Sequence, residues 1–157
     1  MKKHDGMEEL PIDETDVQIL AMLAENGRMT AKRIAERTFL SPTAIATRME
    51  KLENEGYIEG YTVKIAPKAF GYTIKAFINL QVEPVQKKDF YPYIRSCPNV
   101  VECNCVTGDY SMLIEGLFRS TAELDGFIGE LQHFGKTQTQ IVFSTPVEHR
   151  DGFIELR

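Results

Sequence analysis

Between residues 41 and 56 the chain reads SPTAIATRMEKLENEG, and this stretch constrains the fold more than any other. Ser41 offers a side-chain oxygen to the unpaired N–H groups of a first helical turn. Pro42 follows at the helical position where a missing N–H is harmless. Ile45, Met49 and Leu52 fall at i, i+4 and i+7, on one side of a helix, and Gly56 stops it. The spacing therefore predicts a helix with a marked start, a marked end and a single apolar face.

Two shorter helices are predicted upstream. IDETDVQILAMLAENG opens with Asp13 as N-cap, and Ile12 and Val17 flank it as a hydrophobic staple. Ile19, Leu20 and Leu23 give its stripe, and Asn26-Gly27 ends it. TAKRIAERT is capped by Thr30, with Ile34 and Ala35 inward, and the tight connection TFL leads into the Ser41 helix. Two short helices across a short turn, behind a supporting one, form a helix-turn-helix. GYIEGYTVKIAP then alternates like a strand and runs into Pro67.

From about residue 72 the character changes. TIKAFINLQV is β-branched and aromatic, a strand. KKDFYPYIRSC reads as a helix, with Pro92 either near its start or distorting it. VVECNCVTGDYSMLIEGLF gives two strands around Thr107-Gly108-Asp109. STAELDGFIGELQHF is a helix with Ser120 as N-cap and Glu123 completing a capping box, and TQTQIVFST is a last strand. The order is βαββαβ, a ferredoxin-like pattern, so the expected class is α+β. The expected division is a tail at 1–11, a helix-turn-helix domain at 12–60, a strand hinge at 61–72, the βαββαβ domain at 73–147 and a tail at 148–157.

Charge is segregated along the chain. From Arg28 to Lys51 six cations face two carboxylates, a net +4, which leaves −9 for the rest of a chain whose total is −5. A basic island in an acidic protein suggests a local anion-binding surface such as nucleic acid, or simply a solvated helical face. Cys97, Cys103 and Cys105 lack pairing or metal spacing and read as reduced thiols. The histidines are scattered, so neither a metal nor a catalytic cluster is expected. No run of eighteen apolar residues is present, and MKKHDGMEELPIDETD has no apolar core of a secretory signal, so no membrane partner and a cytoplasmic location are expected.

With Ile45, Met49 and Leu52 inward, a turn of about 100° per residue places Thr43, Thr47, Glu50, Lys51 and Asn54 outward. Ala44 and Ala46 keep that face slim, as entry into a major groove requires. Thr43 and Thr47 are candidates for a base edge or a phosphate; Lys51 and Arg48 sit nearer the phosphates, although Arg48 is equally placed to brace its own domain through a carboxylate. Ser41, Pro42 and the first-turn N–H groups favour an anion, and Lys32, Arg33 and Arg37 are candidate backbone contacts from the preceding helix and turn.

The ordering from Ile12 to about Val147 resembles the Lrp/AsnC family of bacterial and archaeal transcriptional regulators. IDETDVQIL is similar to that family's opening helix. NGRMTAKRIAERTFLSPTAIATRMEKLENEGYIEGYTVKIAPKAFGY follows its helix-turn-helix and hinge, and VTGDYSMLIEG and TQTQIVFS its Gly-Asp-Tyr loop and closing strand. The resemblance implies a winged-type helix-turn-helix that binds double-stranded DNA, and a βαββαβ module that pairs through its sheets into homodimers, assembling further to tetramers or octamers. It also implies no cofactor but a small effector, usually an amino acid, held between modules by Gly108, Asp109, Tyr110, Ser111, Thr137 and Thr139. Ser111 stands where the family loop commonly carries a second acid, which removes one partner for an α-ammonium group. LQHFGKTQ lacks the family's Pro-Gly-Val before the last strand.

Two other functions compete. Siroheme decarboxylases also resemble such chains but use His and Arg around a tetrapyrrole, whereas ECNCVTGDYSMLIEG holds no histidine. A nucleoid-type binder without an effector fits if Gly108-Asp109 is only a turn.

Overall fold

The computed structural model describes residues 12–149. The tail expected at 1–11, and that at 148–157 from residue 150 on, lie outside them. The chain forms two compact units that divide between Lys64 and Ile65.

The first unit is three helices: α1 (Glu14–Glu25), α2 (Ala31–Thr38) and α3 (Pro42–Asn54). Each starts on the expected cap, with Asp13, Thr30 and Ser41 accepting from the backbone N–H of Asp16, Arg33 and Ala44. At α1 the cap is reciprocal, since the Asp16 carboxylate accepts from the Asp13 N–H. Ile19, Ile34, Ile45 and Leu52 are fully buried at the centre, with Met22, Leu23, Met29 and Ala35 around them. At about 1.5–3 kcal/mol per buried aliphatic side chain, this cluster is the main force holding three short helices that would not persist alone.

The second unit contains β1 (Ile74–Leu80), α4 (Lys87–Ser96), β2 (Val100–Cys105), β3 (Met112–Phe118), α5 (Thr121–Leu131) and β4 (Thr137–Ile141). The strands form an antiparallel sheet in the order β2-β3-β1-β4. Ile74 pairs with Phe118 and Leu80 with Met112 on one side of β1, and Leu80 with Thr137 on the other. Ala76, Ile78, Leu80, Met112, Ile114 and Phe118 form one core with Phe90 and Ile94 of α4 and Leu124, Phe127 and Leu131 of α5. Strand alternation sends Lys75, Phe77, Asn79, Leu113, Glu115 and Leu117 to the opposite face, where they are only half-buried.

Three details differ from the sequence expectations. Residues 58–66 form no strand, and the sheet β2-β3-β1-β4 takes in none of them. Tyr61, Val63 and Ile65 nevertheless keep their alternation and are all exposed. Pro92 lies inside α4, where the carbonyl it leaves unpaired belongs to exposed Lys88. At α5 the Glu123 carboxylate accepts from the Arg119 N–H, one residue before the Ser120 cap, so the box is shifted outward.

Before β4 the backbone of Gly135, at φ 155°, comes so close to β1's end that an added Cβ would lie 1.7 Å from the Gln81 carbonyl oxygen. Only glycine fits here, and it lets the Gln81 N–H donate to the Lys136 carbonyl at 2.9 Å.

Candidate nucleic-acid interface

The expected recognition face is intact on α3. Thr43, Ala46, Thr47, Glu50, Lys51 and Asn54 are exposed, while Ile45 and Leu52 on the opposite side are sealed. The Thr47 hydroxyl donates to the Thr43 carbonyl at 3.0 Å. Its hydrogen is thereby used within the helix, and it presents a methyl group and an acceptor oxygen outward. Ser41 and Pro42 are exposed at the start of α3, where the helix dipole and free N–H groups favour an anion. Lys51 lies 4.0 Å from Glu55, a loose exposed pair that leaves its charge available.

Lys32, Arg33 and Arg37 of α2 are exposed and make no ion pair among the described residues. They lie on the helix that leads directly into the turn before α3, so the basic island of the sequence is a real surface of the first unit.

Of the two roles expected of Arg48, a phosphate contact or a brace through a carboxylate, the structure shows the brace. Its Nη1 donates to Asp13 Oδ2 and Asp16 Oδ1, both at 2.7 Å, which ties α3 to the start of α1. Asp16 is all but buried, so its carboxylate needs that cation. The Asp16 N–H and the Arg48 guanidinium hold the Asp13 carboxyl below its ordinary value, and the two carboxylates push the Arg48 pKa up. We assign Arg48 to the frame of the domain. The sequence signal was present, since Asp13 and Asp16 are the only acids in α1's first turn and cap that lie three apart. Their approach to α3 is a tertiary fact that spacing does not reveal.

The residues matched to an effector loop gather at one end of the second unit's sheet. The loop 106–111 joins β2 to β3, with Gly108 at φ 109° and Asp109 exposed. Thr137 and Thr139 lie opposite Leu80 and Ile78 on β4. The Ser111 N–H donates to the Leu80 carbonyl at 3.2 Å, so loop and β4 flank the same end of β1. Tyr110 is half-buried in the loop. Ser111 has a duty of its own, because its hydroxyl accepts from the Val82 N–H at 2.8 Å. A groove of about 480 Å³ lies elsewhere on this unit, lined by Ile65, Phe70, Tyr72, Val101 and Leu117 among others, and none of the loop residues borders it.

Cys103 and Cys105 do share a strand, but burial pushes the Cys97 and Cys103 thiols up, so neither is a ready thiolate. Among the described residues no group of His, Cys, Asp or Glu is placed to hold a metal, and no helix is long and apolar enough to cross a membrane.

A capped trihelical unit with an exposed polar and basic helix face, followed by a βαββαβ unit, defines a DNA-binding transcriptional regulator with a separate ligand-type domain. Residues 12–59 match the winged helix-turn-helix DNA-binding family, and residues 75–151 match the Lrp/AsnC ligand binding domain. The chain belongs to the Lrp/AsnC family. It is 33% identical over 132 residues to the HTH-type transcriptional regulator LrpA of Bacillus subtilis, covering 83% of this chain and 97% of that protein. It is 32% identical over 142 residues to the HTH-type transcriptional regulator FL11 of Pyrococcus horikoshii, covering 88% and 94%. Among solved structures, a transcriptional regulator of Neisseria meningitidis in complex with L-Met superposes with a TM-score of 0.82 at 28% identity, covering 90% of this chain and 95% of that one. These relatives are transcriptional regulators, which sets the decarboxylase alternative aside.

Proposed function

We propose that α3 enters the DNA major groove, that homo-oligomers of the chain place two or more such helices on one duplex, and that an amino acid tunes their spacing. The observation that carries this is the contrast across α3: one side is sealed by Ile45 and Leu52, and the other is exposed and polar from Thr43 to Asn54. Thr43 and Thr47 meet base edges, Lys51 a phosphate, and Ser41 and Pro42 bring the helix start to the backbone. Lys32, Arg33 and Arg37 neutralise further phosphates, and the protein works in the cytoplasm, where its duplex is.

Each neutralised phosphate contributes a salt slope of about 0.9, so one domain with a handful of contacts binds weakly and pairing is needed. The half-buried apolar residues Phe77, Leu113 and Leu117 on the sheet face away from α4 and α5, and the exposed Tyr61, Val63 and Ile65, support pairing between copies. The effector residues border neither the groove lined by Ile65 and Phe70 nor the one lined by Gly56 and Tyr61, which is consistent with a site completed by a second copy. There Gly108 and Tyr110 shape the loop, exposed Asp109 meets the α-ammonium group, and Thr137 and Thr139 supply hydroxyls. Ser111 acts by holding the loop to β1. The L-Met bound by the Neisseria relative makes L-methionine the first amino acid to try.

The test is selection of bound genomic fragments, followed by footprinting and light scattering with and without a panel of amino acids beginning with L-methionine. The expected result is protection over two or more helical turns by a dimer or larger assembly. An amino acid that alters the footprint of the wild type and not of Asp109→Ala supports the effector site. A response to all twenty that is nil identifies a regulator without an amino-acid effector, and a monomer without salt-sensitive binding overturns the proposal.

A further inference from the structure

The turn between α2 and α3 holds a residue that the fold does not need. Phe39 adopts φ 58° and ψ 27°, the left-handed conformation, and is the only residue other than glycine with positive φ among the described residues. A bulky side chain is a poor choice there; glycine or asparagine does the same backbone work without strain. Its ring is 96% exposed and makes no ring or cation contact among the described residues, so no packing compensates. On either side the Thr38 hydroxyl donates to the Ile34 carbonyl and Ser41 caps α3, while Leu40 between Phe39 and that cap is far less exposed, at 38%.

Phe39 stands two residues before that cap, at the end of α3 that reaches base edges first in a helix-turn-helix. Exposed Lys32, Arg33 and Arg37 precede it and exposed Thr43 and Thr47 follow it. Backbone strain held on a surface residue points to a functional contact, and an exposed ring in the turn between a cation-bearing helix and α3 points to the one apolar group of the major groove. We propose that Phe39 contacts the C5-methyl group of a thymine and is a specificity-determining residue of this regulator. Such a contact rewards thymine over cytosine without any hydrogen bond. This rests on α3 being the groove-facing helix.

The experiment compares wild type, Phe39→Gly and Phe39→Asn on the duplex selected by the wild type, on a random duplex, and on the selected duplex with single thymines replaced by deoxyuridine. Both variants relieve the left-handed strain, so both should keep or raise the urea midpoint, which excludes misfolding as the cause of any loss. The expected result is binding to the selected duplex weaker by on the order of tenfold, with little change on random DNA. One deoxyuridine position should weaken the wild type by a similar factor and leave the variants unaffected. Unchanged affinity of both variants, an equal loss on selected and random DNA, or equal deoxyuridine sensitivity in variant and wild type would each overturn the Phe39 role while α3 still binds. No salt-sensitive binding by the wild type would remove the α3 reading, and this proposal with it.

Discussion

Arg48 and Lys51 lie three residues apart on α3, carry the same charge, and are placed differently. Arg48 turns inward to the Asp13 and Asp16 carboxylates, while Lys51 stays exposed. Arg48→Ala leaves Asp16 buried without its cation and should cost about 2–3 kcal/mol, read as a lower urea midpoint, with the salt dependence of DNA binding nearly unchanged. Lys51→Ala should leave the midpoint almost unmoved and lower the salt slope by about one. An interchange of these effects would reverse the two assignments. Asp13 adds a pH dependence. Its carboxyl is held below the ordinary value of 3.8, mainly by the Asp16 N–H and Arg48. A depressed folded value stabilises the protein above the unfolded value and loses that contribution as pH falls through the lower one. Stability should therefore fall below about pH 4, and Asp13→Asn, which keeps a capping oxygen, should flatten that acid limb; identical acid limbs in urea titrations would count against it.

At the level of elements, most of the architecture was legible because local signals and tertiary needs agree. Asp13, Thr30, Ser41 and Ser120 cap the helices as their sequence positions predict, and alternation in β1 and β3 matches their burial. What could not be read depends on partners distant in sequence. The Arg48 ion pairs, the use of the Ser111 hydroxyl on Val82 and the absence of a strand at 58–66 are of this kind. Phe39 was passed over because a turn residue's φ is invisible in an apolar letter. Gly135 shows the same limit, since LQHFGKTQ gives no hint of the Gln81 carbonyl against it. Gly135→Ala should lower the stability of the second unit by at least about 3 kcal/mol and displace β4, carrying Thr137 and Thr139 with it. A thermal melt within a degree of wild type would show that the close approach is easily relaxed.

For the whole molecule, avidity decides whether the recognition face is useful. A single trihelical unit offers few phosphate contacts, and two units on one duplex roughly double the salt slope and fix the half-site separation at about 34 Å or a multiple. Phe77 lies mid-strand on the sheet face away from α4 and α5. Phe77→Lys should therefore lower the mass seen by light scattering towards that of one 17.8 kDa chain, weaken DNA binding by at least tenfold through lost avidity and leave the fold intact. An unchanged mass would place the pairing surface elsewhere. The most direct measurement of all is the ratio of affinities for a selected and a random duplex, followed across salt concentrations for wild type and Thr47→Ala. A groove-reading α3 predicts a steep salt dependence in both proteins and a preference for the selected duplex that falls by about five- to a hundredfold in the variant. Equal preference in the two proteins would mean that the outward face of α3 does not read the bases.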